Sequence, residues 1–595
     1  MEMKPELARL AEKFGVADLV ASGNYLDALA RLMPVLYGED EAQPGDRAEA
    51  EQVRDELFSL VLKAMRERRD PPKNGMRFGT SGWRGILVDD FTVENVACVT
   101  QAVVDVILKR EYHGALGVRD IADVRNRGCI LAHDTRIAGA EFAQTAARIL
   151  LAHRIKVIYL GMATTPEVSA AILETGAAFS INFTPSHNPF NYHGYKFNPS
   201  DGGPAPAELT GPIASRANEI FQTRSGYYAL GVAEMQAAKR TPGRYLQADP
   251  IRLYKQALAE RVPWLDLGAL VETLNSRDAA IFIDNGFGAT QGKYEQLLEG
   301  LDPARLHVFN GRTDYLFGGK DREPSRENFR VLQDAMAGSS ARLTLGFMND
   351  GDGDRFVGGG RSAVLVMNKF GPLVVKYLTQ EHGLTGDVTR SVMTSHMADA
   401  ALARYLPEGK LNETRVGFQY MRPYVASSVN SWEESDGMTP MGWTLDKDGL
   451  MAALLLIAMV LHYDAPPEAL LEELERELGY YYFERTKVRG SLSGDRLKEA
   501  LAGRFGTISP GDTLVVGGRG FKVETVSTLD GHKVVFDNGW WFGVRPSGTE
   551  PVVRPYVETF VPPESSVDER NEAAHWQKAL LNWLKEEVGR LLHHA

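Results

Sequence analysis

Apolar positions along this chain follow two periodicities in alternation. Gly128–Asp134 (GCILAHD), Lys156–Leu160 (KVIYL) and Ala178–Phe183 (AFSINF) are short strand-like stretches, the last reading as a buried strand. Within Glu141–Arg154, Phe142, Ala146, Ile149 and Leu150 fall at i, i+4, i+7 and i+8, which predicts an amphipathic helix. Pro166–Gly176 predicts another. Strands alternating with helices in this way imply a largely parallel sheet with helices on its faces. The order recurs further on: a strand at Ala279–Asp284 (AAIFID), a helix near Gly292–Leu301, a strand at Leu343–Met348 (LTLGFM), and Val364–Met367 followed by a helix from about Gly371. After about residue 475, Leu514–Val516, Phe521–Thr528 and Lys533–Asp537 read as short strands joined by glycine turns, and an amphipathic helix closes the chain near Asn571–Leu592. The first 75 residues are rich in Ala, Leu, Glu and Arg and predict a helical extension ending at Pro71-Pro72. The expected organisation is therefore an N-terminal helical extension (1–75), three α/β units (76–235, 236–362, 363–475) with mixed or parallel sheets, and a smaller α+β unit (476–595).

Length supports that count, since 595 residues at roughly 150 per domain give about four domains. Apolar residues make up 44% and charged residues 24%, a globular composition. A net charge of −12 disfavours general nucleic-acid binding, which needs clustered cations, so any anionic substrate must meet a local basic pocket. Cys98 and Cys129 have no close spacing and form neither a disulfide framework nor a zinc cluster, which predicts a reduced, cytoplasmic setting. MEMKPELARLAEKFG lacks the apolar core of a signal peptide. The longest apolar run, the twelve residues Leu450–Leu461, is too short to span a bilayer and predicts a buried core helix, so no membrane association is expected.

Chemistry concentrates in four loops. DGDGDR (Asp350–Arg355) follows the strand LTLGFM, at the carboxyl end where ligands collect in open α/β sheets. Its carboxylates at i, i+2 and i+4, separated by Gly, can converge on one hard cation such as Mg²⁺, Mn²⁺ or Ca²⁺. An EF-hand is excluded because Arg355 stands at its sixth position and Arg361 at its twelfth. RPSGTEP (Arg545–Pro551) offers a cation, hydroxyls and backbone N–H groups to an anion, with Arg554 nearby. In WEESDG (Trp432–Gly437), Glu433 and Ser435 project the same way if the segment is extended, offering an acceptor and a donor to vicinal hydroxyls. TPSHNPFNYHGYK (Thr184–Lys196) carries Ser186 on a proline-stiffened loop at a strand end. FGTSGWRG (Phe78–Gly85) is not a nucleophile elbow, since Trp83 stands where GxSxG needs Gly, but Arg84 is a candidate phosphate contact. Gly286-Phe287-Gly288 is not a dinucleotide fingerprint, since the last Gly (Gly292) comes one residue late.

Together these loops resemble the α-D-phosphohexomutase superfamily, and within it the phosphoglucomutases. Thr184–Pro189 matches the family's active-site loop, DGDGDR its metal loop, Glu433–Gly437 its sugar loop and RPSGTEP its phosphate loop. FGTSGWRG, His133–Arg136 (HDTR), Lys447–Gly449 (KDG) and Asn198–Ala205 (NPSDGGPA) are smaller matches, and the resemblance spans about residues 76–560. Two departures are Trp432, where the sugar loop usually opens with Gly, and Gly417-Phe418-Gln419, where the family carries Lys in place of Gln419. The resemblance implies a phosphoserine at Ser186 and Mg²⁺ held by Ser186, Asp350, Asp352 and Asp354. It implies Lys196 as general acid–base, a role asking for a lowered pKa beside Arg84 and other cations. His187 and Arg84 would support the transfer. Arg355, Glu433, Ser435, Lys447, Arg545, Ser547, Gly548, Thr549 and Arg554 would hold substrate. The implied reaction interconverts glucose 1-phosphate and glucose 6-phosphate, with glucose 1,6-bisphosphate as intermediate and activator. Sugar phosphates are the implied partners, and monomer and dimer both stay open. Alternatives are a mannose-specific or dual-specificity mutase, a metal-dependent sugar phosphatase, and a non-catalytic sugar-phosphate-binding relative.

Overall fold

The computed structural model describes residues 5–38, 44–73, 75–79, 82–492, 494–546 and 552–594. Helices Pro5–Lys13, Ala17–Ala21, Tyr25–Tyr37 and Pro44–Glu67 form the N-terminal extension. They enclose a small core of their own, built from Leu29, Leu32, Leu36, Val53, Leu57 and Leu60. That core is shared: Leu316 of the second α/β unit is buried in it, and Phe190, just past Ser186, packs against it.

The first unit is a seven-stranded sheet in the order 78–79, 82–86, 192–199, 179–183, 129–133, 157–162 and 245–247. Strands Cys129–His133, Val157–Met162 and Phe179–Phe183 run parallel, and Tyr192–Pro199 returns antiparallel to Phe179–Phe183. Every residue of Phe179–Phe183 is buried, the polar Ser180 and Asn182 included. The second unit has five strands (364–365, 356–359, 343–349, 279–284, 306–309) and the third four (411–414, 387–391, 428–433, 437–440). One core joins these two units, with helix Gly449–His462 at its centre. That helix is buried from Gly449 to Leu461. Among the described residues no single helix is long and apolar enough to cross a membrane. The last unit is an antiparallel sheet spanning residues 480–561, packed against helix Val567–His594.

Alternating strands and helices, the helical extension and the change of texture past residue 475 all match the sequence reading. Four details differ. Tyr192–Lys196, expected as loop, opens a strand; the Pro, Asn and Gly residues of Thr184–Lys196 suggested a turn, but Gly194 is needed because a Cβ there would lie 2.2 Å from the Thr184 carbonyl oxygen. The helix expected from Gly371 starts at Met367 and runs through Pro372. Near Gly292–Leu301 only Lys293–Leu297 is helical. Unit limits at 235, 362 and 475 fall short of Tyr245–Gln247, Val364–Leu365 and the end of helix Pro467–Leu478, each of which continues the preceding unit.

Candidate active site

Strand Phe179–Phe183 delivers its chain into the Thr184–Pro189 turn, and the turn is built around one residue. Ser186 holds φ 60°, the left-handed region that side chains other than Gly rarely occupy. Its N–H donates to Thr184 Oγ1 (2.9 Å). Arg136, from the HDTR match, donates to the carbonyls of Ser186 (2.9 Å), Pro189 (2.6 Å), Tyr192 (3.3 Å) and Asn188, and so clamps the turn from below. Gly351 completes the seat: a Cβ there would come 2.9 Å from the Ser186 carbonyl oxygen. Strain concentrated on one braced serine is the mark of a position set by its surroundings.

The metal loop comes to meet that serine. Asp350, Asp352 and Asp354 are fully buried, with one carboxylate oxygen from each within 4.8 Å of the others. Ser186 Oγ donates to Asp350 Oδ2 at 2.5 Å, a contact between residues 164 positions apart. Lys196 Nζ donates to Asp352 Oδ2 (2.6 Å), Asp354 Oδ2 (2.8 Å) and Thr165 Oγ1 (3.1 Å). Burial and the neighbouring Asp354 and Asp352 push the Asp350 carboxyl above its ordinary range. Asp352 is held below that range, because Lys196 outweighs burial. Oδ1 of Asp352 and Oδ1 of Asp354 make no hydrogen bond among the described residues. Buried carboxylate oxygens without donors, grouped with a serine hydroxyl, fit a hard divalent cation.

Cations and sugar-facing groups ring this centre. Arg84 Nη1 donates to Asn188 Oδ1 (2.8 Å), and the charges of all three aspartates act on its guanidinium. His187 Nδ1 lies 3.4 Å from Ser186 Oγ; burial, Arg355 and Arg84 push its pKa well down, so the imidazole is neutral. Lys447 Nζ lies 3.5 Å from Asp354 Oδ1 and 3.4 Å from Glu433 Oε1. Arg355 Nε lies 3.9 Å from Asp350 Oδ2. Glu433 is buried, and Lys447 and Arg355 outweigh that burial and keep its carboxyl ionised.

Three expectations change here. Lys196 is not depressed: burial acts in that direction, but Asp352 and Asp354 overcome it and hold the ammonium charged. Glu433 and Ser435 are not on one extended segment, because Glu433 ends a strand, Gly437 begins its partner and Asp436 turns at φ 73°; the Ser435 side chain bonds to Glu433 itself. The Arg545 phosphate loop is only partly in view. Arg545 Nε donates to Asp530 Oδ2 (2.7 Å) and faces Arg554 across the strand pair, while Ser547, Gly548 and Thr549 lie outside the described residues. Trp432 resolves one departure: its indole is buried over Gly371, whose added Cβ would sit 2.5 Å from the ring, so the large side chain fills the unit's core.

Family models match along most of this architecture: phosphoglucomutase/phosphomannomutase α/β/α domain I over residues 75–224, domain III over 367–478, and the C-terminal domain over 495–573. The chain belongs to the α-D-phosphohexomutase superfamily. A phosphoglucomutase/phosphomannomutase from Thermococcus kodakarensis is 26% identical over 488 residues, covering 81% of this chain and 94% of its own length. A Komagataeibacter xylinus phosphoglucomutase is 25% identical over 552 residues, covering 84% and 91%. Parafusin, a Paramecium phosphoglucomutase solved in an open form, shares the fold with a TM-score of 0.69 at 19% identity, over 88% of this chain and 97% of that one. As a phosphohexomutase the chain is an isomerase that moves a phosphoryl group on one sugar. The HDTR match includes Arg136, but the sequence assigned it no role, since the acceptors it clamps are backbone carbonyls; Glu323 and Arg485 belong to no loop motif.

Proposed function

We propose that this phosphohexomutase interconverts α-D-glucose 1-phosphate and glucose 6-phosphate through a phosphorylated Ser186. The observation that carries the reading is the 2.5 Å contact between Ser186 Oγ and Asp350, at a strained turn beside the aspartate triplet. In the forward direction the sugar O6 attacks the phosphoserine phosphorus as the P–Oγ bond breaks, and the proton that leaves O6 is balanced by one taken up at Ser186 Oγ. Glucose 1,6-bisphosphate then turns over, and its 1-phosphoryl group returns to Ser186 Oγ. Mg²⁺ held by Ser186, Asp350, Asp352 and Asp354 would offset charge on the transferring group. Lys196, charged and 2.6 Å from Asp352, is suited to hold and return a proton beside that group. Neutral His187 accepts or donates one hydrogen bond at Ser186 without adding charge. Glu433 and Lys447 receive sugar hydroxyls, and Arg545 with Arg554 grips the phosphate that does not react.

Mannose phosphates are the second reading, supported by the double name of the Thermococcus relative. Glucose and mannose differ only at C2, and a polar group left unpaired there costs about 1–3 kcal/mol, roughly ten- to a hundred-fold in kcat/KM. The test is kcat/KM for glucose 1-phosphate and mannose 1-phosphate under one bisphosphate concentration, with free phosphate measured in parallel. A glucose preference supports the first reading. Parity or a mannose preference replaces it with the second, and free phosphate as the main product makes the protein a phosphatase.

A further inference from the structure

One cluster of partly buried charge joins three units beside the groups assigned above. Arg485 ends strand Tyr480–Arg485, the first strand of the C-terminal unit. Its Nη2 donates to Asp436 Oδ2 (2.8 Å), in the turn of the sugar loop, and to Glu323 Oε1 (3.3 Å), in the second unit. Glu323 also accepts from Arg355 Nη1 (3.4 Å), on the metal loop, and from Lys487 Nζ (2.8 Å). The Asp436 backbone is fastened to the metal loop as well, since its carbonyl accepts from Phe356 N–H (2.8 Å). A second tie runs beside these: Tyr556 OH donates to Glu434 Oε1 (3.3 Å). Glu434 and Asp436 flank Ser435 in the sugar loop, so the C-terminal unit touches that loop on both sides.

We infer that Arg485 is a positioning residue that locks the C-terminal unit onto the sugar and metal loops, so that the phosphate grip and the sugar reader close together over Ser186. A planar guanidinium suits this role, because it can serve two carboxylates on different units at once, which an ammonium does less well. The arrangement is also costly to break. Asp436 is buried, in a left-handed turn at φ 73°, and removing Arg485 takes away its ion-pair partner. Closure over a phosphoserine has a chemical purpose: water reaching it would break the P–Oγ bond and release inorganic phosphate and free Ser186, with no sugar product formed. This inference rests on the mutase reading for its catalytic consequence and on geometry alone for the lock.

Two measurements test it separately. Small-angle scattering of Arg485→Ala needs no turnover: the lock predicts a larger radius of gyration than wild type, and a superimposable profile overturns it. In assays with glucose 1-phosphate and activating bisphosphate, Arg485→Ala should lose about ten- to a hundred-fold in kcat/KM. It should also release more inorganic phosphate per glucose 6-phosphate formed, and Arg485→Lys should recover part of both. A loss of rate with unchanged phosphate partitioning overturns the positioning role, because a merely structural defect lowers all outputs together. Lys498→Ala, on an exposed pair, serves as control. If Arg485→Ala does not fold, Glu323→Gln and Asp436→Asn must each shift the partitioning, and wild-type partitioning in both overturns the inference. A wild-type enzyme without isomerase activity would sink the mutase reading and leave the scattering test of the lock standing.

Discussion

Ser186 carries three distinct constraints: a left-handed backbone, a clamp from Arg136 and a hydrogen bond into the aspartate triplet. Its replacement by Ala keeps the turn and deletes the oxygen. The expected result for Ser186→Ala is a kcat lower by orders of magnitude with sugar-phosphate binding largely retained, since covalent catalysis loses its carrier. Near-normal turnover would show that the phosphoryl group travels by another route. The aspartates lend themselves to a test that needs no activity. Millimolar Mg²⁺ or Mn²⁺ should raise the thermal midpoint of the wild-type protein, because a ligand at about 100 times its Kd adds about 2.7 kcal/mol. The double substitution Asp350→Ala, Asp352→Ala should abolish that shift. An equal shift in the variant would place the cation elsewhere. Arg545→Ala should cost about 1.5–3 kcal/mol in sugar-phosphate binding, read from KM and from direct titration. Unchanged kcat/KM would reduce that strand end to a structural turn.

Among the elements, the best-placed test is where Trp432 of strand Ser428–Glu433 lies over Gly371 of helix Met367–Gln380. Gly371→Ala should destabilise the protein by about 1–3 kcal/mol through overpacking, seen as a lower thermal midpoint. A neutral result would mean the indole has room to shift. Legibility in the sequence followed the same physics. Ala279–Asp284 was readable as a strand because its first five residues are all apolar, and Phe179–Phe183 because Phe179, Ile181 and Phe183 alternate within a short run; every residue of both is buried. The strand Tyr192–Pro199 was hidden because Gly194 serves a close passage by the Thr184 carbonyl at the serine turn, and Gly otherwise signals a turn. Asp350, Asp352 and Asp354 were legible because their spacing alone brings three carboxylates together. The Lys196 environment was not, because the aspartates that hold it charged lie 156 and 158 residues away in the chain. The turn at Ser435 was hidden for a similar reason: a tight hairpin between Glu433 and Gly437 cannot be told from an extended strand by alternation in so few residues.

At the scale of the whole molecule, the N-terminal extension bridges the first two α/β units. Phe190 and Leu316 share its core, and Tyr37 OH donates to both carboxylate oxygens of Asp314 (2.9 and 2.8 Å). Tyr37→Phe should therefore cost about 1.5–3 kcal/mol, the worth of a hydrogen bond to a charged acceptor, and should lower the melting temperature. An unchanged melting temperature would show the extension to be a passenger. Three units meet at the buried triplet, with Ser186 and Lys196 from the first, the aspartates from the second and Lys447 from the third, and the proposed phosphoryl group on Ser186 would sit at that junction. The most direct test follows the phosphorus itself. Phosphorus-radiolabelled glucose 1,6-bisphosphate is mixed with the enzyme, quenched within a turnover and digested. The account predicts label on the peptide containing Ser186 and in glucose phosphate, with little inorganic phosphate. Label recovered only as inorganic phosphate, or isomerisation with no label on Ser186, would contradict it.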